Sequence, residues 1–104
     1  MIKMNDLPTL DTIKIKGYDF NLTCQACPEQ YDVMKDGEQV CYVRLRYGRL
    51  LAEYPDVFGK AIYCHYFEEN FLGLFHTEES RIYHLTQIAD KITLELENEK
   101  LKKN

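Results

Sequence analysis

The chain has 104 residues, enough for one domain with one modest core. Its composition is 45% hydrophobic and 29% charged, as in ordinary globular proteins, and no apolar run is long enough to span a membrane. The net charge of −4 argues against a general nucleic-acid binder, which needs a basic surface to displace counterions from phosphates.

Residues 1–10 read as a loose lead-in that carries Pro8 and no secretory leader pattern. From Thr12 to Thr23 apolar and polar residues alternate: Ile13 and Ile15, then Tyr18, Phe20 and Leu22 after Gly17. Such a period of two marks a strand with one buried face, and Gly17 predicts a bulge or bend in it. Cys24 to Glu29 is a connector, and Tyr31 to Met34 a short strand. Asp36-Gly37 predicts a tight hairpin turn, because both residues tolerate positive φ. Gln39 to Tyr47 is then the best strand, with Cys41, Val43, Leu45 and Tyr47 on its apolar side and Val40, Tyr42, Arg44 and Arg46 on the other. Gly48 turns the chain, Arg49 to Tyr54 returns, and Ala61 to Phe67 forms an aromatic strand after Pro55-Asp56-Val57-Phe58-Gly59. Glu68 to His76 fits a loop or a short last strand turning near Gly73.

Residues 77 to about 100 predict a helix. Thr77 is placed to cap it, and Glu78 and Glu79 sit where the helix dipole favours negative charge. Ile82, Leu85, Ala89, Ile92 and Leu96 form its apolar stripe, with Leu94 and Leu101 off it. The expected fold is therefore α+β: an antiparallel meander of four to five strands with one long C-terminal helix packed on the sheet, a single domain over residues 1–104.

Cys24 and Cys27 form a CxxC, half of a zinc site. The other half is missing. Cys64 and His65 are adjacent in a strand and so face opposite ways, and His76 and His84 are scattered. The CxxC also lacks the strand–helix setting of a redox motif, since Pro28 and a hairpin follow it. The reading is no metal and no cofactor, with Cys41 and Cys64 as small buried residues, Cys24 and Cys27 in a loop, and the three histidines at the surface. Free thiols and the lack of a leader pattern point to the cytoplasm.

Arg44 and Arg46 share a strand face with Tyr42, and Arg49 starts the next strand. Lys14 and Lys16 extend this face if the first strand lies close. Arginine beside tyrosine on an open sheet suits protein contacts, cation–π contacts or stacking on bases. The competing reading is a solvated face whose arginines pair with Asp32 and Glu53. A homodimer is also expected to cover the open side, with Tyr42, Tyr63 and Phe67 in the contact.

The segment Cys27-Pro28-Glu29-Gln30-Tyr31-Asp32-Val33, followed by Val43-Arg44-Leu45-Arg46-Tyr47-Gly48 and Tyr54-Pro55-Asp56, resembles a family of small proteins from phages and mobile elements of low-GC Gram-positive bacteria. The likeness covers about residues 18–90, and this chain departs from it in Cys24 and in Phe58-Gly59, where a glycine pair is the pattern. The resemblance carries over no catalytic residue. It implies an accessory protein that acts on a host protein. The leading expectation is thus a non-enzymatic protein-binding module, such as an inhibitor of a host defence system of the anti-CRISPR kind. Acidic clusters at Glu68-Glu69 and Glu78-Glu79 would suit it to nucleic-acid grooves. The alternatives are a nucleic-acid binder that uses Tyr42, Arg44, Arg46 and Arg49, and a small enzyme with a Cys/His site at Cys64.

Overall fold

A computed structural model describes residues 9–24, 29–68 and 75–102. Six strands, β1 (Asp11–Ile15), β2 (Tyr18–Cys24), β3 (Glu29–Lys35), β4 (Glu38–Arg46), β5 (Arg49–Tyr54) and β6 (Lys60–Tyr66), precede one helix, α1 (Glu78–Lys102). The strands form one antiparallel sheet in chain order, β1-β2-β3-β4-β5-β6. The fold is therefore α+β with a helix on a meander, but with six strands rather than four to five.

The miscount lies at Gly17. Ile15 pairs with Tyr18, so Lys16-Gly17 is a two-residue hairpin turn and not a bulge in one strand. Either feature moves the inward residues from odd to even positions, so the alternation alone does not separate them. Lys16 and Gly17 both hold positive φ, 52° and 86°, and the same pattern recurs at Asp36-Gly37 and at Tyr47-Gly48. These are the backbone angles that match a hairpin to the right-handed twist of its strands. Glycine takes them without cost, whereas Lys16 and Tyr47 carry side chains there. The β5–β6 turn uses its glycine differently: a Cβ on Gly59 would lie 2.3 Å from the Tyr54 carbonyl oxygen.

One sheet face is dry. Tyr18, Phe20, Tyr31, Val33, Cys41, Val43, Leu45, Leu50 and Ala52 meet Leu85, Ile88, Ala89 and Ile92 of α1 in one core. Each large side chain removed from water contributes about 2 kcal/mol before entropy is subtracted. Thr77 caps the helix through a 3.0 Å bond from the Ser80 amide to its hydroxyl. The buried stripe is rotated from the expected one by roughly 50°, about half a residue step. His84 and Ile88 join it, while Ile82 lies at its exposed margin and Leu96 is only partly buried.

Polar ties fix the helix at both ends. Glu29 is 1% exposed and accepts bonds from Arg81 Nε at 2.9 Å and Nη2 at 3.1 Å, and from the Tyr31 hydroxyl. Arg81 also pairs with Glu78. Farther along, Lys16 meets Asp90 at 2.7 Å, Tyr18 meets Thr93 at 2.8 Å, and Lys60 meets Glu95 at 2.8 Å. Bonding to Glu29 holds the Arg81 guanidinium more firmly protonated than usual, and burial raises the Tyr31 hydroxyl.

Candidate functional site

Among the described residues no helix lies over the second sheet face. Alternation from the core residues assigns to it Gln30 and Asp32 of β3, Tyr42, Arg44 and Arg46 of β4, Arg49, Leu51 and Glu53 of β5, and Cys64 and Tyr66 of β6. Register aligns these in rows across the strands. Arg46 stands opposite Arg49, which stands opposite Tyr66; Arg44 stands opposite Leu51, which stands opposite Cys64; Asp32 stands opposite Tyr42, which stands opposite Glu53.

The first of these rows forms a basic corner. Arg44, Arg46, Arg49, Tyr47 and Tyr66 line a shallow recess of about 420 Å³. Tyr47 is 75% exposed and Tyr66 70%, and the Arg46 guanidinium lies 5.1 Å from the Tyr47 ring centre. Among the described residues no carboxylate pairs with any of the three arginines. Like charges directly across a ladder destabilise it, so this end of the sheet carries an internal repulsion.

The expected binding face is thus assembled in part. Arg44, Arg46 and Arg49 do come together. Tyr42 shares the face but is 3% exposed, its hydroxyl donating to Gln30 Oε1 at 2.9 Å, so it offers no ring to a partner. The exposed rings are those of Tyr47 and Tyr66. The turn preference of a residue before Gly48 was a signal for Tyr47; Tyr66 had none beyond its place at the strand end. Lys14 and Lys16 do not extend the patch. β1 is three strands from β4, about 14 Å away, and these lysines serve Asp19 and Asp90. Asp32 and Glu53 do not pair with the arginines either. Tyr63 and Phe67 leave the expected dimer contact, since they pack with the histidine cluster beside α1.

At the other end the same face is acidic. Gln39 Nε2 donates to Asp32 Oδ1 at 3.3 Å and to Asp56 Oδ1 at 2.9 Å, which draws two carboxylates to one amide. Asp32 is 7% exposed. Burial, and then the charge of Asp56, raise its pKa from 3.8 to about 6. Gln39 Oε1 is buried without a hydrogen-bond partner. Glu53 flanks the pair across Tyr42.

The cysteines and histidines do not converge on a reaction centre. Cys41 is buried, and its thiol is pushed up to about 12 by burial. Cys64, expected to be buried, is exposed, because β6 is an edge strand and its side chain is on the face away from the helix. His65 packs on the helix side with its ring 4.5 Å from that of His84. His84, expected at the surface, is 6% exposed among Tyr63, Phe67, Phe75 and Tyr83, with Nδ1 2.8 Å from the Tyr63 hydroxyl. Burial, and then His65, lower its pKa. Cys24 ends β2, whereas Cys27 lies outside the described residues. Among the described residues no three His, Cys, Asp or Glu side chains gather as a metal site. Of the acidic clusters, Glu78 is engaged by Arg81, and Glu69 lies outside the described residues. No helix among them is long and apolar enough to cross a membrane.

Comparison with family models, with curated proteins and with solved structures returned no match.

Proposed function

We propose that this chain is a non-enzymatic protein-binding module, and that its basic corner takes up an acidic segment of another protein. The observation that carries the proposal is the recess of Arg44, Arg46 and Arg49, three guanidiniums without a carboxylate partner among the described residues, rimmed by two exposed tyrosines. Arginine and tyrosine are the side chains that anchor protein interfaces, and arginine binds carboxylates through two parallel bonds. In the setting that the resemblance implies, the chain is a cytoplasmic accessory protein of a phage or mobile element, and the partner is a host protein such as a component of a defence system.

The test is capture of partners from host lysate by the tagged chain, beside Arg44→Glu/Arg46→Glu. A stoichiometric host protein that is lost with the variant, and whose isolated acidic segment binds the purified chain directly, supports the proposal. A host protein held equally by both forms refutes it. A second reading, single-stranded nucleic acid, is favoured by the two exposed tyrosine rings beside arginine, a usual stacking surface for bases. Its signature is nucleic acid in the captured fraction that moderate salt releases.

A further inference from the structure

The open sheet face carries two charge clusters of opposite sign, and each is repulsive within itself. Arg44, Arg46 and Arg49 occupy the end near the β4–β5 turn. Asp32, Glu53 and Asp56 occupy the end near the β5–β6 turn. Among the described residues, none of the six makes an ion pair. Arg44 and Tyr42 are two residues apart on β4, so the nearest rows of the two clusters lie about 7 Å apart along the strands, and Arg46 and Arg49 lie about 13 Å from the Tyr42 row.

A face with this division is complementary to itself. A twofold axis that lies in the interface, across the strands between the Arg44–Leu51 row and the Tyr42–Glu53 row, reverses the strand direction of a second copy. Its acidic end then covers the basic end of the first, and its basic end covers the acidic end. One operation neutralises four like-charge clusters, and it brings Arg44 of each copy over the Asp32–Tyr42–Glu53 row of the other. We infer that the chain self-associates through this face into a twofold-symmetric dimer, with Arg44, Arg46 and Arg49 of each copy set against Glu53 and Asp56 of the other.

The contact is modest in size. Six strands spaced about 4.8 Å apart and roughly 20 Å long present roughly 600 Å² per copy, at the low end for a specific interface. A contact of this size is expected to form a reversible dimer, sought at roughly 10–100 μM of chain. An acidic host segment competes with the second copy for the arginines, but the dimer requires no particular host partner.

Sedimentation velocity on the full chain across that concentration range tests it. The expected result is a monomer–dimer equilibrium weakened about tenfold as salt rises from about 50 mM to about 500 mM, where the screening length falls to a few ångströms. Arg44→Glu/Arg46→Glu alone and Glu53→Lys/Asp56→Lys alone should each be monomeric, since each face then carries mainly one sign, with only Arg49 or buried Asp32 left of the other. Mixed together, the mainly acidic and mainly basic faces should form a heterodimer. Because Asp56 also closes the β5–β6 turn through the Val57 amide, Glu53→Lys alone serves as the basic variant if the double variant fails to fold. A chain that is monomeric throughout, a dimer that survives Arg44→Glu/Arg46→Glu, or a mixture that stays monomeric would each overturn the inference.

Discussion

Replacing Asp32 by Asn should stabilise this protein, although it removes a buried charge that accepts a hydrogen bond. Asp32 and Asp56 both accept from the same Gln39 amide, and the ring of Tyr42 and the rest of the sheet keep water from Asp32. Its pKa rises from 3.8 to about 6, a shift of about two units; at about 1.4 kcal/mol per unit the charged form costs the fold at most about 3 kcal/mol at pH 7. Part of the carboxylate field reaches solvent at the sheet surface, so a gain of about 1–2 kcal/mol is the realistic figure. Asn keeps the acceptor for Gln39 and adds a donor that can face Asp56. In a domain of this size that gain raises Tm by roughly 4–8 °C per kcal/mol. The sign with pH follows from linkage. The folded pKa lies above the unfolded one, so the folded chain binds the extra proton between about 6 and 3.8. The wild type regains stability as pH falls through that window, and the gap to Asp32→Asn closes. Urea unfolding of both forms at about pH 7 and about pH 4 measures this. A variant no more stable at neutral pH, or a gap that persists in acid, would refute the reasoning.

Three further perturbations follow from other parts of the structure. His84 is held neutral among aromatic rings and its pKa lies below the unfolded value of 6.5. Its contribution is thus complete above about pH 6.5 and is lost as pH falls below it; measured in the Asp32→Asn background, urea midpoints should drop on acidification, and His84→Gln should flatten that drop. Arg81→Met leaves Glu29 charged and buried, and should cost about 3–5 kcal/mol in urea unfolding, whereas adding Glu29→Leu should restore most of the loss. Arg46→Thr relieves the cross-strand repulsion with Arg49, and should raise stability by about 0.5 kcal/mol while weakening self-association.

The strand–helix order was legible because it rests on local patterns. Ile13 and Ile15, Phe20 and Leu22, and Val43 and Leu45 alternate, and Thr77 caps a helix whose apolar residues recur every three to four positions. What stayed hidden depends on contacts between distant residues. Lys16 at positive φ was not a turn signal by itself; the pairing of Ile15 with Tyr18 makes it one. Glu29 reads as the end of a connector until Arg81, fifty-two residues later, is seen to hold it at the start of β3. His84 reads as polar until β6 and Phe75 close around it. Tyr42 was expected to present a ring on the grounds of parity alone, yet parity assigns a face and not exposure, and Gln30 and the neighbouring side chains cover it. The arginine cluster was legible because it needs only two adjacent strands and a two-residue turn.

The sheet face also explains why the two sides of this molecule differ in kind. On the helix side the charges have counterparts: buried Glu29 has Arg81, and the exposed lysines 16 and 60 reach Asp90 and Glu95. On the open side acids sit with acids and arginines with arginines, although exchanging Arg49 and Glu53 along β5 would set a carboxylate opposite Arg46 and end the repulsion there. A fold under selection for stability alone has no use for the present arrangement, since like charges across a ladder and a carboxylate near pKa 6 both subtract from it. Separated charges of opposite sign become favourable only when a second surface supplies the opposite order. This arrangement supports the proposed contact role of the open face, and the charge-swap mixture decides whether a second copy supplies the contact.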